Sequence, residues 1–249
     1  MEFTEQVIIL RVGTFRENDC WVRFFSPSRG MLTAFAFGGR RSRRRFCGCL
    51  DNFNQVVFRV RSGKRNQYFS LEEGSLLQGF AALKKDPQKV GMASNCLQFF
   101  EAVHVGENGA RDAYDLLQSM LEALEGHPGV PSLFFPLLFR IAVAFEQGYR
   151  LECIHCASCG SVLQEFLWAD CVIEDGIMLC PSCARPEDAQ FRLSWQALAL
   201  LQHLKNGDLK KWVAWNPPSE LRRELYHFID FFVRYHLGIA YEDGRFSRC

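Results

Sequence analysis

Hydrophobic and polar positions follow a strand-like rhythm through the first 80 residues and a helical one beyond them. Residues 6–12, 20–25, 31–37, 55–61 and 67–71 form short segments rich in β-branched and aromatic side chains. Turn sequences such as Glu17-Asn18-Asp19, Pro27-Ser28-Arg29-Gly30 and Ser62-Gly63 separate them. In Phe58-Arg59-Val60-Arg61 one face is apolar and the other cationic, the alternation of a half-buried strand. Five short antiparallel strands at this spacing predict a small closed barrel of the OB type, with a small sandwich as the alternative.

From about residue 80 the period lengthens. Asp86-Pro87 sets an N-cap before a proline at the first helical position, which predicts a helix to about Val103. Tyr114, Leu117, Leu121 and Leu124 recur at helical spacing until Gly126. Ser132 is expected to cap a helix over residues 133–147, apolar nearly all round and so central and buried. Ser194-Trp195 opens another amphipathic segment, closed by Asn206-Gly207. Pro217-Pro218-Ser219 opens the last one, with Leu221, Leu225, Phe228, Ile229 and Phe232 on one stripe. The predicted fold class is therefore α+β: an OB-type barrel over residues 1–80, then a helical domain over 81–249 with a cysteine hairpin inserted at 153–186.

That hairpin carries the most specific chemistry in the chain. Cys156 and Cys159 form one CxxC pair, Cys180 and Cys183 another, and residues 160–179 leave room for a short hairpin between them. Two such turns can aim four thiolates at one Zn²⁺ ion. Gly160 and Pro181 suit turns that need a positive φ and a preset φ. Four thiolates leave no vacant position for water, so one structural zinc per chain is expected rather than a catalytic one. Disulfides or free thiols are the alternatives. Cys153 makes an overlapping Cys-x-x-Cys and competes for the first pair, and His155 could replace a ligand; Gly160 favours Cys156 with Cys159. Cys20, Cys96 and Cys171 read as small core residues, and Cys47 and Cys49 as exposed turn thiols.

Charge adds a second feature. The 249 residues carry a net charge of only +1, but residues 1–80 hold thirteen basic against seven acidic side chains, and residues 81–249 sixteen against twenty-one. A basic first part on an acidic body points to a polyanionic partner for the first part. The basic residues concentrate in Gly38-Gly-Arg-Arg-Ser-Arg-Arg-Arg-Phe46, directly after the third strand: Arg40, Arg41, Arg43, Arg44 and Arg45. Phosphates that neutralise such a run release counterions. Phe46, with Phe35, Phe37 and Phe53 nearby, offers rings on which unpaired bases can stack, although core packing accounts for most phenylalanines. Arg59, Arg61, Lys64 and Arg65 are expected to extend the cationic track across the sheet.

Eleven cysteines, an acidic start at Met1-Glu-Phe-Thr-Glu and no apolar run of membrane-spanning length predict a cytosolic protein with reduced thiols and no targeting segment.

The arginine loop, followed by Leu50 and Phe53, resembles the signature loop of the RecO recombination-mediator family. Glu17-Asn-Asp, Phe25-Ser26 and Gly30-Met31 are similar to the same family, as is Gly148-Tyr149 placed eight residues before Cys156. The resemblance covers nearly the whole chain. It implies a bacterial protein of recombinational repair, at the nucleoid, that binds single- and double-stranded DNA and anneals complementary strands. It implies action with RecR to displace single-stranded-DNA-binding protein, so that RecA can load. It also implies docking of that binding protein's C-terminal tail on the helical body.

Other classes fare worse. An OB barrel with a four-cysteine zinc site also occurs in NAD-dependent DNA ligases, but no Lys-x-Asp-Gly sequence is present. GxxxxGK[ST], GxSxG and HExxH are absent too, so no enzymatic activity is expected. An RNA-binding or translation-associated module remains open, because phosphate contacts do not distinguish RNA from DNA. So does a scaffold whose basic loop meets an acidic protein.

Overall fold

The computed structural model describes residues 2–42, 44–62, 68–185, 191–205 and 209–249. By contacts the chain divides into two compact units, residues 1–97 with 104–126, and residues 98–103 with 127–249.

In the first unit, β1 (Glu2–Thr14), β2 (Cys20–Ser26), β3 (Gly30–Ala36), β4 (Gln55–Ser62) and β5 (Phe69–Gln78) close into a barrel of order β1-β2-β3-β5-β4. The OB-type barrel is thus present, with every pair antiparallel except β3 and β5, which run parallel at Ala34 and Phe35. β1 closes the barrel by pairing along both edges, with Ile8 opposite Phe25 on one side and Gln55 on the other. The inward positions fill the core with Val7, Ile9, Val22, Phe24, Val56, Phe58 and Val60. Gly74 in β5 leaves room for Phe58, because a Cβ there would come within 2.7 Å of that ring. A short helix, α1 (Ala81–Lys85), leads into α2 (Pro87–Val103), and Asp86 caps α2 by accepting hydrogen bonds from the N–H groups of Gln88 and Lys89. α3 (Ala110–Gly126) packs on β1 and β2, and Gln55 donates from the barrel to Tyr114 Oη and Gln118 Oε1 of that helix, at 3.0 Å each.

In the second unit, α4 (Phe135–Glu146) is buried on nearly every side. It begins two residues later than the sequence predicts. Ser132 Oγ accepts from the Phe134 N–H and donates to Asn216 Oδ1, so this serine organises the turn before the helix instead of its first residue. After α4 the chain forms a three-stranded sheet of order β7-β6-β8, built from β6 (Trp168–Val172), β7 (Ile177–Leu179) and β8 (Phe191–Ser194). α5 (Trp195–Lys205) follows, with Ser194 Oγ accepting from the Ala197 N–H; the expected stop at Asn206-Gly207 lies outside the described residues. α6 (Leu209–Trp212) precedes α7 (Ser219–Leu237), whose apolar stripe of Leu225, Phe228, Ile229, Phe232 and Val233 is buried. Gly238, at φ 61°, ends α7, and a hairpin of β9 (Ile239–Glu242) and β10 (Arg245–Arg248) follows.

Candidate functional site

The arginine loop joins β3 to β4, and internal anchors hold its described residues. Phe46 and Cys49 drop into the barrel core, 4% and 0% exposed. The Arg45 carbonyl accepts from the Gly74 N–H at 2.8 Å, and Asn54 donates to the carbonyls of Gly48 and Cys49. The loop is also tied to the β1–β2 turn: Asp19 accepts from the Gly38 N–H at 2.7 Å, and the Arg40 N–H donates to the Asn18 carbonyl at 3.2 Å.

These anchors correct two expectations. Phe46 is a core residue with the Arg45 guanidinium over its ring, 5.2 Å from the centroid, and the ring is not open to a base. Cys49 is buried, not an exposed thiol like Cys47. Replacing Phe46 with Ala is expected to cost about 3–5 kcal/mol of barrel stability and to loosen the loop, which denaturant unfolding followed by loop proteolysis would check.

The arginines themselves divide. Arg40, Arg41 and Arg44 are exposed. Arg41 lies 3.7 Å from Glu17, both side chains more than 70% exposed, a pairing of little energetic weight. Arg40 reaches Thr14 Oγ1 at 3.5 Å, and Arg44 makes no ion pair among the described residues. Arg45 donates to the Phe37 carbonyl and is partly committed to holding the loop. Arg43, Lys64 and Arg65 lie outside the described residues. Arg59 and Arg61 do not extend the track as expected. Strand register sets Arg59 opposite Glu73 and Arg61 opposite Glu2. Arg59 pairs with Glu73 at 3.2 Å and Glu2 at 3.6 Å; Arg61 pairs with Glu2 at 3.7 Å and Glu72 at 3.8 Å. Two guanidinium groups on this face thus stand among three carboxylates.

Rings that sequence reasoning did not single out stand beside the arginines. Phe15 in the β1–β2 turn and Tyr68 ahead of β5 join Phe35 and Phe37 in one cluster. The centroids are 4.8 Å apart for Phe15–Phe35, 6.1 Å for Phe35–Phe37 and 6.3 Å for Phe37–Tyr68. Phe15, Phe37 and Tyr68 are each 40–46% exposed. The Arg16 guanidinium sits 5.2 Å from the Phe15 ring. An exposed aromatic next to an arginine in a turn is a signal the sequence does contain, but it does not say that the two loops meet.

In the second unit the Sγ atoms of Cys156, Cys159, Cys180 and Cys183 all lie within 4.8 Å of one another and could hold a metal ion. Gly160, at φ 75°, turns the chain after the first pair, and its N–H donates to the Cys156 carbonyl. The Cys180 N–H donates to Cys156 Sγ at 3.3 Å. Burial disfavours the Cys156 thiolate, but the N–H groups of Cys180, Cys159 and Ser158 outweigh it and lower the pKa. Ser161 hydrogen-bonds Cys159 and holds its thiol down to about 6. Cys183 receives a hydrogen bond from Ser158, yet its sulfur neighbours push it up to about 12. Four sulfurs this close ionise together only against a cation. Cys153 is buried and stands near Cys171, whose thiol is pushed up to about 12 chiefly by burial; His155 is exposed and bridges to Val162. Neither belongs to the four-sulfur cluster.

A barrel with a cationic, ring-bearing rim, and a helical body that carries a four-thiol centre, define the class of protein. The family model described as Recombination protein O N terminal matches residues 1–80, and that described as Recombination protein O C terminal matches residues 84–243. The chain is 44% identical to the DNA repair protein RecO of Oleidesulfovibrio alaskensis over 248 residues, covering all of both chains. It is also 44% identical, over the whole of both chains, to the proteins of the same name from Solidesulfovibrio magneticus and Nitratidesulfovibrio vulgaris. The chain belongs to the RecO family of DNA repair proteins. No helix among the described residues is long and apolar enough to cross a membrane.

Proposed function

We propose that this chain is a DNA-binding recombination mediator that works without hydrolysis. The barrel rim grips single- and double-stranded DNA, brings complementary strands together, and acts with RecR to help RecA load onto strands coated by single-stranded-DNA-binding protein. The observation that carries this reading is the exposed ring cluster of Phe15, Phe37 and Tyr68, with Arg16 over Phe15, together with the exposed Arg40, Arg41 and Arg44 of the loop that follows Phe37. Guanidinium groups neutralise phosphates and release counterions, and ring faces stack unpaired bases with little sequence preference. Lowering the charge on two strands reduces their mutual repulsion, which permits pairing without a nucleotide cofactor. The helical body docks the C-terminal tail of the single-strand-binding protein, and the setting is the cytoplasmic nucleoid.

The four-thiol cluster fits one structural Zn²⁺. Zn–S bonds of about 2.3 Å in a tetrahedron give sulfur–sulfur edges of about 3.8 Å, and Cys159 and Cys180 stand 3.8 Å apart. With every position taken by Cys156, Cys159, Cys180 and Cys183, the ion would tie the Cys156–Cys159 turn to the turn that follows β7 and leave no place for a reacting water.

Substituting Ala for both Phe15 and Phe37 tests the reading. Each stacked base lost should cost about 1–3 kcal/mol of affinity for an oligo-dT strand while the salt slope is unchanged. Annealing of complementary oligonucleotides should slow in step. Unaltered affinity would count against the rim, and preference for a matched RNA strand in competition would reassign the partner.

A further inference from the structure

The four sulfurs of the thiol centre are not equally protected. Cys156 and Cys180 are 2% and 1% exposed, Cys183 is half-buried, and Cys159 is exposed. Ser161 Oγ bonds Cys159 Sγ at the surface, 3.1 Å away, and Cys180 Sγ lies 3.8 Å from the same sulfur. The turn that carries Cys159 also has room to shift. A Cβ on Gly160, the next residue, would meet no atom within 4 Å. The buried side is held instead: the Cys180 N–H donates to Cys156 Sγ at 3.3 Å, and the Cys156 N–H donates to the Ser161 carbonyl at 2.8 Å. Oxidants select among thiolates by access, so a small hydroperoxide meets Cys159 first.

We propose that Cys159 is an oxidation site through which hydrogen peroxide opens the centre, joining Cys159 to Cys180 in a disulfide and releasing the ion. The inference rests on the reading of the centre as a zinc site. The Cys159 thiolate attacks one peroxide oxygen; an S–O bond forms, the O–O bond breaks and hydroxide leaves. The Cys180 thiolate then attacks the sulfenic sulfur; an S–S bond forms and a second hydroxide leaves. Both hydroxides take a proton from the buffer. The two sulfurs have lost two electrons, and one peroxide has been reduced to two waters. Cys156 and Cys183 alone remain as thiolates, half of a tetrahedral donor set. The new bond links the first CxxC turn to the second, so the hairpin stays closed without the ion. The hydrogen bond from Ser161 stabilises the Cys159 thiolate and restrains the attack.

The test treats the zinc-loaded full chain with hydrogen peroxide, follows the metal with a chromogenic chelator and maps disulfides by peptide mass spectrometry. Cys47→Ser with Cys249→Ser serves as the background, since those are the other exposed thiols. About one zinc should leave per peroxide consumed, with Cys159 bridged to Cys180, and a dithiol reductant with added zinc should restore the load. Ser161→Ala should keep the full load and speed release about fivefold, as loss of one hydrogen bond to the attacking sulfur does. Ser158→Ala, which removes the hydrogen bond to Cys183, should change the rate by less than about twofold. A Cys156–Cys159 bridge in place of Cys159–Cys180 overturns the cross-link. Release unaffected by Ser161→Ala, or hastened equally by Ser158→Ala, overturns Cys159 as the point of attack. Full retention of zinc under excess peroxide overturns the oxidation site and leaves the structural ion standing. A native chain without zinc overturns the reading of the centre itself, and the proposal with it.

Discussion

Cys180→Ser is expected to remove the bound metal and to lower the melting temperature by more than about 10 °C, or to leave the chain insoluble. Binding of a structural zinc ion supplies roughly 10 kcal/mol or more in small metal-dependent folds, and that energy is folding energy. Cys180 is 1% exposed and contributes twice, through its own sulfur and through the N–H that bonds Cys156 Sγ. Serine keeps the N–H but replaces a soft thiolate with a poor ligand. Metal analysis should find one zinc per wild-type chain and close to none in the variant. Cys153→Ser is the internal control, with full metal content expected, since Cys153 stands outside the cluster. Wild-type melting together with no zinc in the native protein would refute a structural ion.

Replacing Arg40, Arg41 and Arg44 together with Ala is expected to weaken single-strand binding on the order of a hundredfold at 50 mM salt. The slope of log affinity against log salt should fall by about 2, since each phosphate contact contributes about 0.7 on a single strand. Salt-dependent anisotropy titrations measure both. The counterpart, Arg59→Gln with Arg61→Gln, should change the slope far less. Those guanidiniums stand among Glu2, Glu72 and Glu73, whose negative charge opposes the approach of a phosphate. A slope unaffected by the first variant, or lowered equally by the second, would move the backbone contacts off the loop.

The contrast between these two arginine sets marks where the sequence stops being legible. Alternation in Phe58-Arg59-Val60-Arg61 correctly places both arginines on the outer face of β4. What stands opposite depends on register with β1 and β5, and register is not written in any one strand. The four ligands are legible because their geometry is local, two tight turns with a hairpin between them. The choice of Cys159 over Cys153 follows from Gly160, whose positive φ the turn requires. Phe46 is misread because a loop anchor has no period; one ring among arginines looks the same whether it points in or out. The ring cluster is missed for the same reason as the ion pairs. Phe15 and Tyr68 are 53 residues apart in the chain and come to share Phe35 as a neighbour only once the barrel closes.

Barrel closure also constrains how the chain is made. Val7, Ile8, Ile9 and Leu10 of β1 are all at most 5% exposed, and one of their two partners, β4, ends at Ser62. At synthesis rates of about 5–20 residues per second, this apolar strand waits roughly 3–10 s for its second edge. During that interval it is an open template for pairing with other nascent chains, so expression temperature and chaperone supply should govern the yield of soluble protein more than the stability of the finished barrel does.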